Sequence, residues 1–179
     1  MKKKIVFTVF ISLFLSTAAF SQLGVKGGLA LGEPINDDVS NLHAGFDVGL
    51  TYTINESFRT EIVVEALFRE IKDSYSFSNS FSRIFPITVG VDYRFLAGMI
   101  QPYAGLNLGL VSIGKQIGNT VYSDLYFGLH PKAGVDIEVA DNLFIDVGIK
   151  YHVVFNNSSV NASNTQIFGA NIGLIYVFN

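Results

Sequence analysis

Three histidines, His43, His130 and His152, are the residues of this chain best suited to hold a metal ion or move a proton. They stand on separate segments with no local ligand spacing. With Asp47 or Asp124 they could complete a metal set, but plain polar lining of an interior explains them as well. A second candidate is acid–base chemistry. Glu61 and Glu65, flanked by Arg59 and Arg69, look superficially like paired catalytic carboxylates. With no cysteine, thiol catalysis, disulfides and thiolate metal sites are excluded.

What places these residues is strict alternation of apolar and polar side chains, the period of a β-strand. Eight segments carry it. Their apolar faces begin with Leu23, Val25, Leu29 and Leu31, then Leu42, Ala44, Phe46, Val48, Leu50 and Tyr52. Next come Phe58, Thr60, Ile62, Val64, Ala66 and Phe68, and then Phe85, Ile87, Val89, Val91, Tyr93 and Phe95. The fifth carries Pro102, Ala104, Leu106, Leu108 and Leu110; the sixth carries Phe127, Leu129, Pro131, Ala133, Val135, Ile137 and Val139. The seventh runs through Leu143, Ile145, Val147, Ile149, Tyr151 and Val153, and the eighth through Phe168, Ala170, Ile172, Leu174, Tyr176 and Phe178.

The opposite faces hold Lys26, Asp47, Arg59, Glu61, Glu65, Arg69, Asp92, Arg94, Lys132, Asp136, Glu138, Asp146 and Lys150. On a strand every second residue shares a face, so Glu61 and Glu65 join Arg59 and Arg69 on one surface. A salt-bridge network is the simpler reading of these charges than catalysis, because leaving them buried and unpaired would be costly. Neutralising Arg94 or Lys132 is expected to strand carboxylates there.

The N-terminus reads differently. Lys2, Lys3 and Lys4 precede an apolar run from Ile5 to Leu15 and then small residues, the pattern of a secretory signal peptide over residues 1–21. The run is too short for a transmembrane helix. The barrel domain is then 22–179. Without the three lysines the chain keeps 9 of its 12 basic residues against 15 acidic ones, a net charge of −6. No basic patch remains to suggest nucleic acid.

Connections alternate in length. Residues 32–41, 70–83, 114–124 and 155–166 are long and polar; 54–57, 96–99 and 140–142 are short. That is the pattern of an up-and-down barrel with loops at one end. A soluble barrel would bury the apolar faces, but they are too bulky for the lumen of eight strands. Glycines such as Gly90, Gly105, Gly109, Gly134 and Gly148 sit among the polar residues, where a crowded interior needs room. An outward charge at a bilayer midplane costs about 2–4 kcal/mol, which matches the absence of charge from the apolar faces. The expectation is an all-β, eight-stranded antiparallel transmembrane barrel with a charge-filled lumen. Two aromatic girdles are expected: Tyr52, Phe58, Tyr93, Phe95, Tyr176 and Phe178 at the periplasmic rim, and Phe68, Phe85, Phe127, Tyr151 and Phe168 at the outer rim.

The stretches "FPITVGVDYRF" (85–95), "QPYAGLNLGL" (101–110) and "KAGVDIEVADNLFIDVGIKY" (132–151) resemble the OmpA/OmpW-like outer membrane β-barrel family, which includes opacity-type porins. Asn171, Gly173, Tyr176 and Phe178 resemble the C-terminal signal by which the outer-membrane assembly machinery reads such proteins; Asn179 after the terminal aromatic departs from it. The last strand is expected to close the barrel against the first. The resemblance implies an integral protein of the Gram-negative outer membrane, in contact with lipid and lipopolysaccharide. It is expected to be a monomer with no cofactor and no C-terminal peptidoglycan-binding domain. Family functions span surface interaction and small-molecule passage, and both stay open. Some barrels of this size are lipid A deacylases with a His and a Ser two residues apart. Here Val153 and Val154 follow His152, and Ser158 and Ser159 lie in a loop, so a hydrolase is disfavoured.

Overall fold

The computed structural model describes residues 22–35, 42–71, 80–117, 120–155 and 164–178. The expected signal peptide (1–21), Asn179, Ser158 and Ser159 lie outside the described residues. Eight strands follow in order: β1 (Gln22–Pro34), β2 (His43–Thr53), β3 (Phe58–Ile71), β4 (Ser80–Arg94), β5 (Ile100–Ile117), β6 (Thr120–Ala140), β7 (Leu143–Phe155) and β8 (Thr165–Val177). Each pairs antiparallel with its sequence neighbours, and β8 pairs with β1 from Gly24↔Val177 to Pro34↔Ile167, so the barrel is closed.

The period-two pattern determines which side faces out. Leu29, Ile62, Ile87, Val89 and Ile172 are all more than half exposed, while Asp92 and Asp146 on the other parity are fully buried. The exposed band is apolar around the whole barrel, as a lipid-facing surface must be. Closure matters for the same reason: lipid offers no partner to an open strand edge.

Aromatic side chains bracket that band. At the end with short turns, Phe58 and Tyr93 meet edge-on at 5.3 Å, Tyr93 and Phe95 at 5.2 Å, and Tyr176 and Phe178 at 5.1 Å. At the loop end Phe68 meets Phe85 at 5.4 Å, and Phe127 stacks on Phe155 at 6.1 Å. The turns have local causes. Asn55 Oδ1 accepts from the backbone N–H of Ser57 and of Phe58, at 2.9 and 2.8 Å. Gly98 takes φ 127° and Asn142 takes φ 62°, the left-handed region these two residue types tolerate best.

Pro34 ends β1 and Pro102 lies near the start of β5, while two prolines lie deep inside strands. Pro86 and Pro131 lack the N–H that a ladder needs. The β3–β4 register passes from Val64↔Ile87 to Leu67↔Ile84, and the β6–β7 register from Leu129↔Val153 to Lys132↔Lys150, so each ladder skips the proline.

The loop end corrects one expectation. Residues 114–124 read as a long polar loop, yet β5 runs to Ile117 and β6 starts at Thr120, paired Ile117↔Thr120. Residues 80–83 likewise belong to β4. Gly114, Gln116, Asn119 and Ser123 broke the apolar alternation, but cross-strand backbone pairing does not need it once the hairpin leaves the bilayer. The expected loop 114–124 is therefore a β5–β6 hairpin, with residues 118 and 119 outside the described residues. The remaining parts of the loops, 36–41, 72–79 and 156–163, lie outside the described residues.

Candidate functional site: a charged, closed lumen

The inward faces assemble the predicted charges in tiers along the barrel axis. Nearest the turns, Arg59 donates from Nη1 to Asp136 at 2.6 Å, and from Nη2 and Nε to Asp92 at 2.9 and 3.1 Å. In the middle, Lys132 Nζ reaches Glu61 Oε1 at 2.7 Å and Asp92 Oδ1 at 2.8 Å. Lys26 Nζ reaches Asp146 at 3.0 Å and Glu61 at 3.8 Å. Toward the loops, Lys150 pairs with Glu65 and stands 3.5 Å from Asp47. Four buried or half-buried cations thus serve six carboxylates. Long opposite charges pair strongly where water is excluded.

Neutral residues complete the network, and sequence reasoning missed their roles. Tyr103 donates its hydroxyl to Asp146 Oδ1 at 2.7 Å, and its ring lies 5.2 Å from the Arg59 guanidinium and 5.1 Å from the Lys132 ammonium. Asn107 donates to Glu61 at 2.7 Å, and Asn171 donates to Asp146 at 2.7 Å. The tyrosine fits because Gly134 and Gly148 flank it. A Cβ at either would stand 2.6 or 2.8 Å from its hydroxyl oxygen, closer than real contacts allow. The Pro-Tyr-x-Gly stretch was the only sequence signal for Tyr103.

Three of the thirteen predicted residues stand apart. Arg69 and Glu138 sit near strand ends, only partly buried, with no ion pair among the described residues. Arg94 donates to Gln101 Oε1 at 3.0 Å and to the Asn55 carbonyl at 2.9 Å, neither of them charged. Its neutralisation therefore strands no carboxylate, contrary to expectation. At the last position of β4 it turns toward the rim, and Arg59 already occupies Asp92 and Asp136.

The histidines do not converge. All three point inward and are buried. His43 Nε2 lies 3.0 Å from Ser82 Oγ, while His130 and His152 face each other with Nδ1 atoms 2.6 Å apart. Asp47 lies beside Lys150, and Asp124 is exposed. Among the described residues no three His, Cys, Asp or Glu side chains are grouped to hold a metal. His152 also faces away from lipid, so it cannot form a lipid-side His–Ser pair.

Above the charged tiers lies an apolar layer that the sequence reading did not foresee. Ala30, Leu67, Ile84, Val111, Val154 and Ile167 come from six strands and pack together at 2% exposure or less, with Ile113 and Tyr126 against them. Below that layer, the space among Lys26, Glu61, His130, Lys132, Lys150 and His152 is about 10 Å³, the room of a single water. Among the described residues, side chains fill the lumen at this level. An open vestibule of about 460 Å³ lies at the turn end.

Of the C-terminal residues, Asn171 and Gly173 face inward, and Tyr176 and Phe178 face outward. Comparison with known proteins agrees with this architecture. The family profile described as "Outer membrane protein beta-barrel domain" matches residues 5–178. Neisserial surface protein A superposes with a TM-score of 0.73 at 18% identity, covering 87% of this chain and 97% of that one. OprG from Pseudomonas aeruginosa gives 0.66 at 14% identity, covering 89% and 97%. Ail, the attachment invasion locus protein of Yersinia pestis, crystallised with the heparin analogue sucrose octasulfate, gives 0.65 at 17% identity, covering 89% and 99%. No curated protein sequence matches the chain. The chain belongs to the outer membrane protein β-barrel family and resides in the outer membrane.

Proposed function

We propose that this barrel is a non-enzymatic surface-interaction protein. A signal peptide over residues 1–21 exports it, the assembly machinery reads its C-terminal strand, and it stands as a monomer among lipid and lipopolysaccharide. Both mature termini face the periplasm, and the loop end faces outside. The observation that carries this reading is the sealed lumen. Six inward apolar side chains cap a paired charge network, so the barrel interior serves as a strut. Work is left to the rims. A strut of this kind needs no cofactor, and among the described residues the outward strand faces offer no nucleophile beside a histidine.

The loop-end segments bound the partner's chemistry. Residues 32–41, 70–83, 114–124 and 155–166 carry the acids Glu33, Asp37, Asp38, Glu70, Asp73 and Asp124 against the bases Lys72, Arg83 and Lys115. A surface of that sign suits a neutral or basic partner and repels a polyanion like the heparin analogue in the Ail crystal.

Planar-bilayer recording of the refolded protein tests the reading, with labelling of intact cells beside it. Steady conductance should be absent, and an impermeant thiol reagent should label Ser78→Cys but not Asn55→Cys. Large stable current steps would favour a porin, the competing passage function. Labelling at Asn55→Cys alone would invert the orientation.

A further inference from the structure

The vestibule at the turn end is a built cavity that the loop-end role leaves without a task. Its volume of about 460 Å³ is in the range of small-molecule sites. Arg94, Asn55, Gln101, Asn142, Phe144 and Glu56 are among its lining residues. From this cavity we infer that the vestibule binds a small organic carboxylate, with Arg94 as the anion-recognising group.

The argument rests on how Arg94 is partnered. Its two Nη atoms donate to the neutral oxygens of Gln101 and Asn55, and its Nε is buried without a hydrogen-bond partner. None of the described ion pairs includes it, although the other inward cations near it all hold carboxylates. A guanidinium held in place by neutral groups at the wall of a cavity is set up for a planar two-oxygen anion. Gln101 is itself fixed, since its Nε2 donates to the Gly98 carbonyl at 2.8 Å. The amide oxygen of Asn55 is taken up by the turn, so its Nδ2 remains as a further donor in the lining. Phe144 gives an apolar wall. Glu56, at an exposed turn position, is the one opposing charge in the lining.

The test is an NMR titration of the full mature barrel in detergent micelles, with N-acetyl-trialanine and its C-terminal amide as probes. The acid should shift the backbone amide signals of Asn55, Ala97 and Gln101 saturably. The amide probe, and the acid on R94Q, should bind at least about tenfold more weakly. R94K keeps the charge but loses the fork, and should fall between. E56Q should bind as tightly or more tightly. Equal binding of acid and amide overturns the proposal, as does no shift at probe concentrations on the order of 10 mM. Weaker binding by E56Q would place the contact on Glu56 and overturn the assignment to Arg94. Should R94Q not fold, the acid–amide contrast on the unaltered protein still decides. None of these outcomes depends on what the loop end does.

Discussion

Lys132→Met should be among the most damaging single changes inside the barrel, and Arg94→Gln should not. Lys132 is buried with Nζ 2.7 Å from Glu61 and 2.8 and 3.0 Å from the two oxygens of Asp92. Methionine keeps most of the volume and removes the charge. Four cations serving six carboxylates become three. Breaking a buried pair by removing one partner costs about 3–5 kcal/mol. Here both stranded carboxylates keep a second cation: Asp92 has Arg59 at 2.9 Å, and Glu61 has Lys26 at 3.8 Å. The loss should therefore fall at the low end, about 3 kcal/mol. Arg94 gives up two hydrogen bonds to neutral oxygens near a rim, worth about 1 kcal/mol together once glutamine re-forms part of them. Urea unfolding in lipid vesicles, followed by the heat-modifiable gel shift, measures both; the chain has no tryptophan to report by fluorescence. Adding Glu61→Gln to Lys132→Met should recover part of the loss, because it removes the carboxylate left with the more distant cation. If Lys132→Met lies within about 0.5 kcal/mol of the parent, or costs less than Arg94→Gln, the network is not what holds the interior together.

Two further outcomes follow from single contacts. His130 and His152 place their Nδ1 atoms 2.6 Å apart, and only one proton fits between them. One ring must carry Nδ1–H and the other a bare Nδ1 with its proton on Nε2; nitrogen-15 NMR should show two different tautomers, and two identical ones would refute the contact. Deleting Tyr176–Asn179 removes the pairs Tyr176↔Val25 and Val177↔Gly24 from the closing seam. The truncated chain should be absent from the outer membrane as a folded, heat-modifiable species, and its presence there would show that closure does not need these residues.

The outward faces were legible because one cause acts on every residue of them. Lipid penalises any charge, so Ile62, Ile87, Leu108 and Ile172 repeat one message strand after strand, and period two suffices to read it. The inward face has no such uniform rule. Each position answers to whichever side chain meets it across the lumen, and those meetings join residues far apart in sequence, such as Lys26 with Asp146 or Arg59 with Asp136. The charges themselves could be counted in advance, but Arg94 could not be told from Lys132, since both are basic residues on a polar parity. The apolar layer stayed hidden for a related reason. Leu67, Ile84, Val111, Val154 and Ile167 interrupt polar faces, as Val63 and Ile175 also do, and on any one strand such a break looks like noise. The shared property of the first five is position: in every case the break falls toward the loop end. A pattern repeated at one height across strands is a signal about the barrel axis, and it becomes visible only after the register has aligned the strands. The same alignment separates the two ends of the lumen. A sealed cap lies beneath the loops, while an open cavity with a carboxylate-free arginine lies among the turns. The two ends of the lumen therefore differ in chemistry: an apolar layer closes over the charged tiers on one side, and a cavity that holds Arg94 opens on the other.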